Sequence, residues 1–363
     1  MVYFLLIDCL LFLGAYCKPK QSQVLYIISM ISLWFVIAFR GLDMGGSDGH
    51  VYQMWFQSIV TPLSEFQFNI LKYQQEIQPI SGFAWLFALI ASLAKTLTGS
   101  FIGFQIIYAT VTFGILYYIV DDLKLKDYQK PLFMFAYLSQ QMIWYFCGLL
   151  RQSLANLLIW FVLEHKFKRN NALKKLVIVL LAVLTHTSAI IAVVFYGILA
   201  LLRNVSVKRI FYTSVLMGSF VYLGGAFLIS PILNFMAEKI DDRYSLYTNS
   251  MEASNVFNFA LRFVILVLFY CEYNKCDGLK KEEMIRISSL CFVIGSVNHS
   301  LAVRMLEYLA IGNYYGVTVI LDSENNKRKR IYRIVIFGIF FVIFCRFFFV
   351  NATYLVNYRF LWG

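Results

Sequence analysis

The sequence predicts an all-α, polytopic membrane protein with about 12 membrane crossings. Of the 363 residues, 60% are hydrophobic and only 14% are charged, whereas soluble domains carry roughly 25% charged residues. Apolar runs of about 16 to 20 residues recur along the chain, close to the length that a helix needs to cross a bilayer. Lys and Arg cluster in the short connections between these runs, as the positive-inside rule describes.

The apolar segments follow one another along the whole chain and predict a single integral membrane domain over residues 1–363. They cover residues 2–17, 24–39, 80–97, 101–120, 131–147, 150–163, 176–201, 210–229, 257–271, 287–303, 305–320 and 334–350. The first segment has no basic start and no small-residue cleavage site, so we expect a retained helix there. The cysteines show no CxxC spacing and predict neither a disulfide framework nor a zinc site.

Six basic connections set the predicted orientation. They are residues 18–23, 121–130, 164–175, 202–209, 272–286 and 321–333, and they hold 22 of the 32 Lys and Arg residues. We expect all six to face the cytoplasm. The net charge of +12 is therefore explained by membrane topology, and nucleic acid is not a predicted partner.

This orientation predicts a long external loop over residues 40–100. If the connections 18–23 and 121–130 are both cytoplasmic, the segment 24–39 crosses the membrane to the outside and the segment 101–120 crosses back to the cytoplasm. The apolar segment near 80–97 then cannot cross, so we expect a re-entrant or interfacial external helix there, preceded by an amphipathic piece. Residues 230–256 form a second predicted external loop.

The segment 176–201 is predicted to be broken at about 185–188. The connections on both of its sides are basic, so the segment must go out and return. Each half is about 18–21 Å long at 1.5 Å per residue, shorter than the ~30 Å hydrocarbon core. Broken helices at membrane depth occur where they line a cavity or are buried in protein. We therefore expect His186 to lie in a cavity open to the outside.

Four arginines lie on the predicted external side, where basic residues are otherwise depleted. They are Arg40, Arg151, Arg243 and Arg304. The guanidinium group donates two parallel hydrogen bonds to phosphate oxygens and stays charged in a partly dry site. Arg151 is predicted at the start of a helix, where the helix dipole also favours anions. A single arginine at a helix end is often an interface anchor, but four on one side favour phosphate binding.

The order and spacing of several short motifs resemble the EpsG/Wzy-like polysaccharide polymerases. The stretch AFRGLDMGGSDGHVYQMWF resembles the family's early Phe-Arg and Gly-x-Asp-x-x-Tyr signature. RQSLANLLIWFVLEHKFKRNNALKKLVIVLLAVLTHTSAII resembles its Arg-x-x-x-Ala helix, basic loop and His-x-Ser-Ala segment. DDRYSLY and NHSLAVRMLEYLAI resemble the later arginine-bearing pieces. Glu76 precedes the third segment within EIQPISGF, rather than directly before Pro-Gly as is usual in the family.

The resemblance implies an O-antigen- or capsule-type polymerase in the bacterial inner membrane. Such an enzyme joins oligosaccharide repeat units carried on undecaprenyl pyrophosphate, with its active site facing the periplasm or exterior. The lipid-linked donor and acceptor and the bilayer are then the expected partners, with a chain-length regulator as a further candidate. An external loop followed by an interfacial helix also resembles the GT-C lipid-linked glycosyltransferases, whose first external loop carries an important acid.

Two residues are candidates for the general base that activates the acceptor hydroxyl. His186 has an unperturbed pKa near neutrality, and Asp48 could serve if burial raises its pKa. Asp48 could instead cap the helix that follows it, since Asp is a favoured N-cap residue. Glu76, Tyr52 and Tyr247 are candidate substrate contacts, although external tyrosines also belong to the aromatic belt.

Neither a metal nor another cofactor is predicted. The stretch DMGGSDGH lacks the alternating acids and distal glutamate of an EF-hand. The alternative functions are a flippase or transporter for lipid-linked sugar, and another GT-C-type glycosyltransferase that uses a lipid phosphosugar. Transporters often show internal repeats, and the sequence contains none.

Overall fold

The computed structural model describes residues 2–45, 47–164, 172–239, 256–273, 279–297, 304–321, 335, 337–343 and 345. Its described part is all-helical, as the sequence predicts, and holds no strand. The chain divides into two compact units, the first formed by Met1–Ile190 with Lys327–Gly363 and the second by Ile191–Asn326.

Between residues 2 and 185 the first unit contains eleven α-helices joined by short 3₁₀ and π segments, and the described residues 337–343 are helical as well. The eleven helices are α1 (Val2–Gly14), α2 (Pro19–Ala38), α3 (Ser47–Ser58), α4 (Ile70–Lys72), α5 (Gln78–Ser81), α6 (Trp85–Thr98), α7 (Phe101–Asp122), α8 (Gln129–Tyr137), α9 (Ile143–Cys147), α10 (Leu150–Glu164) and α11 (Ala172–Thr185). The 3₁₀ segments are Leu42–Gly45, Leu63–Glu65 and Thr187–Ala189, and the π segments are Tyr73–Ile77 and Leu138–Met142.

The second unit contains helices of 11 to 33 residues in its described ranges. They are α12 (Ile190–Leu202), α13 (Val207–Lys239), α14 (Val256–Tyr273), α15 (Leu279–Gly295) and α16 (Ile311–Leu321), with a 3₁₀ turn at Glu307–Leu309. Helices α13, α14 and α16 all pack against α15. Gly312 allows this close packing, because a Cβ atom there would meet the backbone nitrogen of Ser288 at 2.7 Å.

The structure does not confirm the predicted number of about 12 crossings. Among the described residues, two helices are long and apolar enough to span a bilayer, Pro19–Ala38 and Phe101–Asp122. A third span results if the bent pair Ile70–Ser81 and Trp85–Thr98 counts as one. The remaining apolar helices, such as Leu150–Leu163, have only 10–17 residues. At 1.5 Å per residue they are shorter than a ~30 Å hydrocarbon core.

The predicted external loop folds as an amphipathic helix on an aromatic core. Helix α3 buries Tyr52, Trp55 and Phe56, whose i, i+3, i+4 spacing puts them on one face of a helix. These rings pack against Phe83, beside the start of α6, and against Phe104 of α7, and Trp55 stacks on Phe83 with centroids 4.0 Å apart. Burying an aromatic ring of this kind contributes about 1.5–3 kcal/mol. The aromatic face therefore fixes α3 in the first unit.

The bent pair has the geometry of either a broken span or a re-entrant loop. Its two arms, Ile70–Ser81 and Trp85–Thr98, meet at an angle of 78°. The first arm ends at Gly82, which has a left-handed backbone with φ of 68°. Glycine adopts this conformation without a Cβ clash. The bend lies at the start of the segment for which the sequence predicts a re-entrant or interfacial helix.

Candidate functional site

The start of α10 is fixed to the bend between the two arms. Arg151, the second residue of α10, donates a hydrogen bond from Nη1 to the Gly82 carbonyl oxygen at 2.6 Å. Its guanidinium lies 4.6 Å from the centroid of the Phe83 ring. The prediction that Arg151 opens a helix is confirmed, and the bend supplies both of these contacts.

Tyr52 connects Arg151 to α3. The side chain and the backbone N–H of Arg151 both hydrogen-bond to the Tyr52 hydroxyl, which is buried. Burial raises the pKa of Tyr52 above its usual range, the Arg151 charge and hydrogen bonds oppose this shift, and the Asp48 carboxylate reinforces it. The structure therefore brings three predicted site residues, Asp48, Tyr52 and Arg151, into one electrostatic cluster.

Asp48 lies one helical turn before Tyr52, in the first turn of α3, and is half-buried. Since α3 begins at Ser47, Asp48 is inside the helix and does not occupy the N-cap position proposed for it. Within the described residues, no hydrogen bond to its carboxylate is found. A carboxylate in a first turn interacts favourably with the helix dipole, so this position suits a negative charge.

Gly49 explains part of the glycine-rich stretch around Asp48. A Cβ atom at Gly49 would overlap the Leu42 carbonyl of the preceding 3₁₀ turn. The absence of a side chain lets that turn pack against α3. This packing pairs the Asp43 carboxylate with His50 Nε2 at 2.9 Å on the surface. Asp43 and His50 of this stretch are thus partners of each other.

Arg40 is placed differently from the exposed phosphate ligand that the sequence suggests. Its side chain is only 2% exposed and donates from Nη1 to the Ile37 carbonyl at 2.7 Å. The Arg40 carbonyl accepts from Gln105 Nε2 at 3.4 Å, and the guanidinium interacts electrostatically with Tyr108. These partners are neutral, so Arg40 adds a buried positive charge to the first unit.

Glu76 lies in the π segment Tyr73–Ile77 and is exposed to solvent. Its carboxylate lies 4.0 Å from Lys72 Nζ, one helical turn away. Exposed pairs of this kind contribute little to stability. The structure places Glu76 on the first arm, where Lys72 is its described polar partner.

His186 lies at the predicted helix break. Helix α11 ends at Thr185, and a 3₁₀ turn begins at Thr187. The ring Nδ1 accepts from the Ser188 backbone N–H at 3.2 Å and lies 2.7 Å from the Ser188 hydroxyl oxygen. Because a backbone N–H can only donate, Nδ1 carries the lone pair and the neutral ring carries its proton on Nε2. The 3₁₀ turn packs against α10, the helix of Arg151.

The remaining predicted arginines belong to the second unit or lie outside the described residues. Arg304 is exposed at the beginning of a helical stretch. Arg243 and Tyr247 lie outside the described residues. Arg262, a further arginine of the second unit, is part-buried, donates to the Gly295 carbonyl at 2.5 Å and has the buried acid Glu307 in its electrostatic surroundings.

Sequence reasoning missed the residues that support this cluster. Tyr108 of α7 donates to the Leu150 carbonyl at 3.1 Å and is hydrogen-bonded to Ser153, so it anchors the start of α10. Tyr108 could have been recognised from the sequence, because a tyrosine inside an apolar run needs a buried hydrogen-bond partner for its hydroxyl. Gly82 was visible as a glycine at a helix end, but its contact with Arg151 joins positions far apart in sequence.

The chain matches the EpsG family over residues 23–361. This match covers nearly all of its length and includes every candidate site residue named above. Neither a curated protein nor a solved structure matches the chain. The chain therefore belongs to the EpsG family, a family of Wzy-like polysaccharide polymerases.

Proposed function

We propose that the protein elongates a polysaccharide by joining undecaprenyl-pyrophosphate-linked oligosaccharide repeat units at the periplasmic face of a bacterial inner membrane. Family membership identifies a membrane protein and a glycosyltransferase-type polymerase with lipid-linked sugar substrates. We infer the carrier lipid, the membrane face and the roles of individual residues from the sequence and from the geometry of the site. The predicted orientation of the basic loops supports the external face.

The main support for this proposal is the arrangement of Asp48, Tyr52 and Arg151, which we call the Arg151 cluster. Arg151 is held by a carbonyl, an aromatic ring and a hydroxyl. These partners are neutral, so they orient the guanidinium without cancelling its charge. A planar donor that is fixed in this way suits the two oxygens of a diphosphate. We assign Arg151 to the leaving pyrophosphate of the donor.

Asp48 is assigned as the general base. In the reaction, the acceptor hydroxyl oxygen bonds to the anomeric carbon of the donor while the bond from that carbon to the pyrophosphate oxygen breaks. The lipid pyrophosphate leaves with the electron pair, and the hydroxyl proton passes to the Asp48 carboxylate. Half-burial beside Tyr52 and the lack of a described hydrogen-bond partner leave the carboxylate oxygens able to accept this proton.

His186 is assigned to hydrogen-bond donation. Its Nδ1 lone pair is engaged by Ser188, so the neutral ring offers the Nε2 proton rather than a lone pair. A donor suits the developing charge on a pyrophosphate or sugar oxygen. This geometry favours Asp48 over His186 for the role of the base. The substrate-binding roles of Arg40, Arg243, Arg304, Glu76 and Tyr247 stay predictions.

Chain extension from a purified lipid-linked repeat unit tests the proposal. We expect Asp48→Asn to reduce elongation by about 10²-fold or more, the range for the loss of a general base. Asp43→Asn is the matched control, because Asp43 is a carboxylate of the same stretch that pairs with His50, and we expect elongation close to wild type.

Three outcomes would contradict the assignment. In His186→Asn, the amide oxygen can still accept from the Ser188 N–H. If this variant loses elongation while Asp48→Asn elongates normally, His186 is the base. Normal elongation by both variants would place the base elsewhere. Accumulation of repeat units on the cytoplasmic face of cells that carry an inactive variant would identify a flippase.

A further inference from the structure

A cavity of about 480 Å³ lies between the end of α10 and the beginning of α11. Phe161 and Val162 line it from α10, and Val177 and Ile178 line it from α11. Its volume is in the range of about 300–1,000 Å³ that is typical of ligand pockets. Since these walls are apolar, the cavity suits a hydrocarbon chain better than a polar metabolite.

Two lysines, Lys174 and Lys175, add positive charge to this cavity. Lys174 is exposed, and Lys175 is only 6% exposed. Both stand at the start of α11, whose first turn contains no acidic residue. Lysines near a helix N-terminus add to the positive end of the dipole, where an anion is favoured. The cavity thus combines an apolar interior with a cationic rim.

The position of the cavity narrows the choice of ligand. It adjoins the basic connection 164–175, which the positive-inside rule assigns to the cytoplasmic side. The cytoplasmic leaflet is rich in anionic lipids, and basic pockets between membrane helices on this side bind anionic headgroups. A lipid of this leaflet offers both an acyl chain and a phosphate.

We propose that this cavity binds an anionic phospholipid of the cytoplasmic leaflet, with its acyl chain between α10 and α11 and its phosphate at Lys174 and Lys175. The site is separate from the proposed polymerase chemistry and stands without it. It lies at the opposite end of α10 from Arg151 and at the opposite end of α11 from His186. A lipid bound there joins the two helices that carry these residues.

Native mass spectrometry of the full-length protein with added phosphatidylglycerol or phosphatidylcholine tests the proposal. Phosphatidylglycerol should bind preferentially. We expect Lys174→Gln with Lys175→Gln to weaken its binding roughly tenfold or more, because each lysine near an anionic surface contributes about fivefold. Lys208→Gln with Arg209→Gln is the matched control, since these basic residues stand in the first turn of α13 and do not line the cavity.

A second variant tests the acyl chain. Val177 is 46% exposed, so Val177→Phe should narrow the cavity without disturbing the fold, and it should weaken phosphatidylglycerol binding with no change in charge. Equal binding of both lipids would overturn the proposal. An equal loss of phosphatidylglycerol binding in the Lys208/Arg209 control variant would also overturn it, since that result indicates a general effect of surface potential. Full competition by inorganic phosphate would overturn it as well, because it indicates an anion site that does not bind a lipid chain.

Discussion

Arg151 in the first unit and Arg262 in the second are both fixed by a glycine carbonyl, but their other partners differ. Arg151 contacts the Phe83 ring and the Tyr52 hydroxyl, which carry no charge. Arg262 has the acidic residue Glu307, which is only 1% exposed, in its electrostatic surroundings. The direct contacts of the Arg151 guanidinium are therefore neutral, with the Asp48 carboxylate nearby at Tyr52, whereas Arg262 has the acidic residue Glu307 in its own surroundings.

This difference separates two uses of arginine in a membrane protein. A buried pair balances its own charge, and removal of one partner leaves the other in a medium of low dielectric constant. An arginine whose direct contacts are neutral keeps its guanidinium donors suited to an anion that binds from outside. Arg151 is accordingly the better candidate for a substrate phosphate, and Arg262 is the better candidate for holding α14 to α15.

The largest effect should come from Arg151→Lys. Lysine preserves the charge but lacks the planar fork that reaches Gly82, Tyr52 and two phosphate oxygens together. We expect elongation to fall by about 10²-fold, the loss typical of one preorganised donor in a transition state. The measurement is chain extension in vitro at matched amounts of folded protein.

Arg209→Lys is the control for this substitution, because Arg209 is an exposed arginine in the first turn of α13. It should extend chains like the wild type. If Arg151→Lys is equally active, the guanidinium does not bind the phosphate, and the distinction between the two arginines fails.

The second prediction concerns stability. Arg262→Met should destabilise the protein by about 1–3 kcal/mol, the usual cost of leaving a buried hydrogen-bond acceptor unpaired, because the Gly295 carbonyl loses its donor. Adding Glu307→Gln should change this loss little, since the amide oxygen can still accept from the Tyr314 hydroxyl, which donates to Glu307 at 3.1 Å. Thermal unfolding of both variants in detergent gives the comparison.

A different result would change the role of Arg262. If Arg262→Met unfolds at the wild-type temperature but no longer elongates chains, the guanidinium serves the substrate. Arg262 would then belong to the same class as Arg151, and the acidic neighbour Glu307 would not separate the two arginines.

The sequence predicted the features that depend on local pattern. Hydropathy and charge gave the all-helical class, the break at His186 and the helix start at Arg151. The left-handed turn at Gly82 was not predicted, although glycine is the usual residue at such a helix end. The crossing number of about 12 was not confirmed; within the described residues, four apolar helices have only 10–17 residues and are shorter than a ~30 Å hydrocarbon core.

The cluster itself could not be derived in the same way. The contacts of Arg151 with Gly82 and Tyr52 join positions that are far apart in the sequence. The burial of Arg40 likewise depends on how α7 packs against α2. The sequence pattern identifies which charged residues lie near helix ends. Which of them are buried, and beside which partners, depends on tertiary packing.

Tyr52→Phe should have the smallest effect of the three and shows how Arg151 is held. The substitution removes the hydroxyl that contacts Arg151 but keeps the ring in the aromatic core, and the Gly82 and Phe83 contacts remain. We expect the elongation rate to fall about two- to tenfold, in line with one hydrogen bond. Tyr73→Phe is the control, because that buried hydroxyl donates to the Phe83 carbonyl at 3.3 Å.

The pH dependence of Tyr52→Phe separates positioning from catalysis by Tyr52. Burial raises the pKa of the Tyr52 phenol above its usual range, so the phenol stays protonated from acidic to mildly alkaline pH. The pH profile of the variant should therefore run parallel to that of the wild type. A loss of about 10²-fold together with a changed alkaline limb would make Tyr52 the base. The Asp48 assignment would then fail, and Arg151 would serve to stabilise a phenolate.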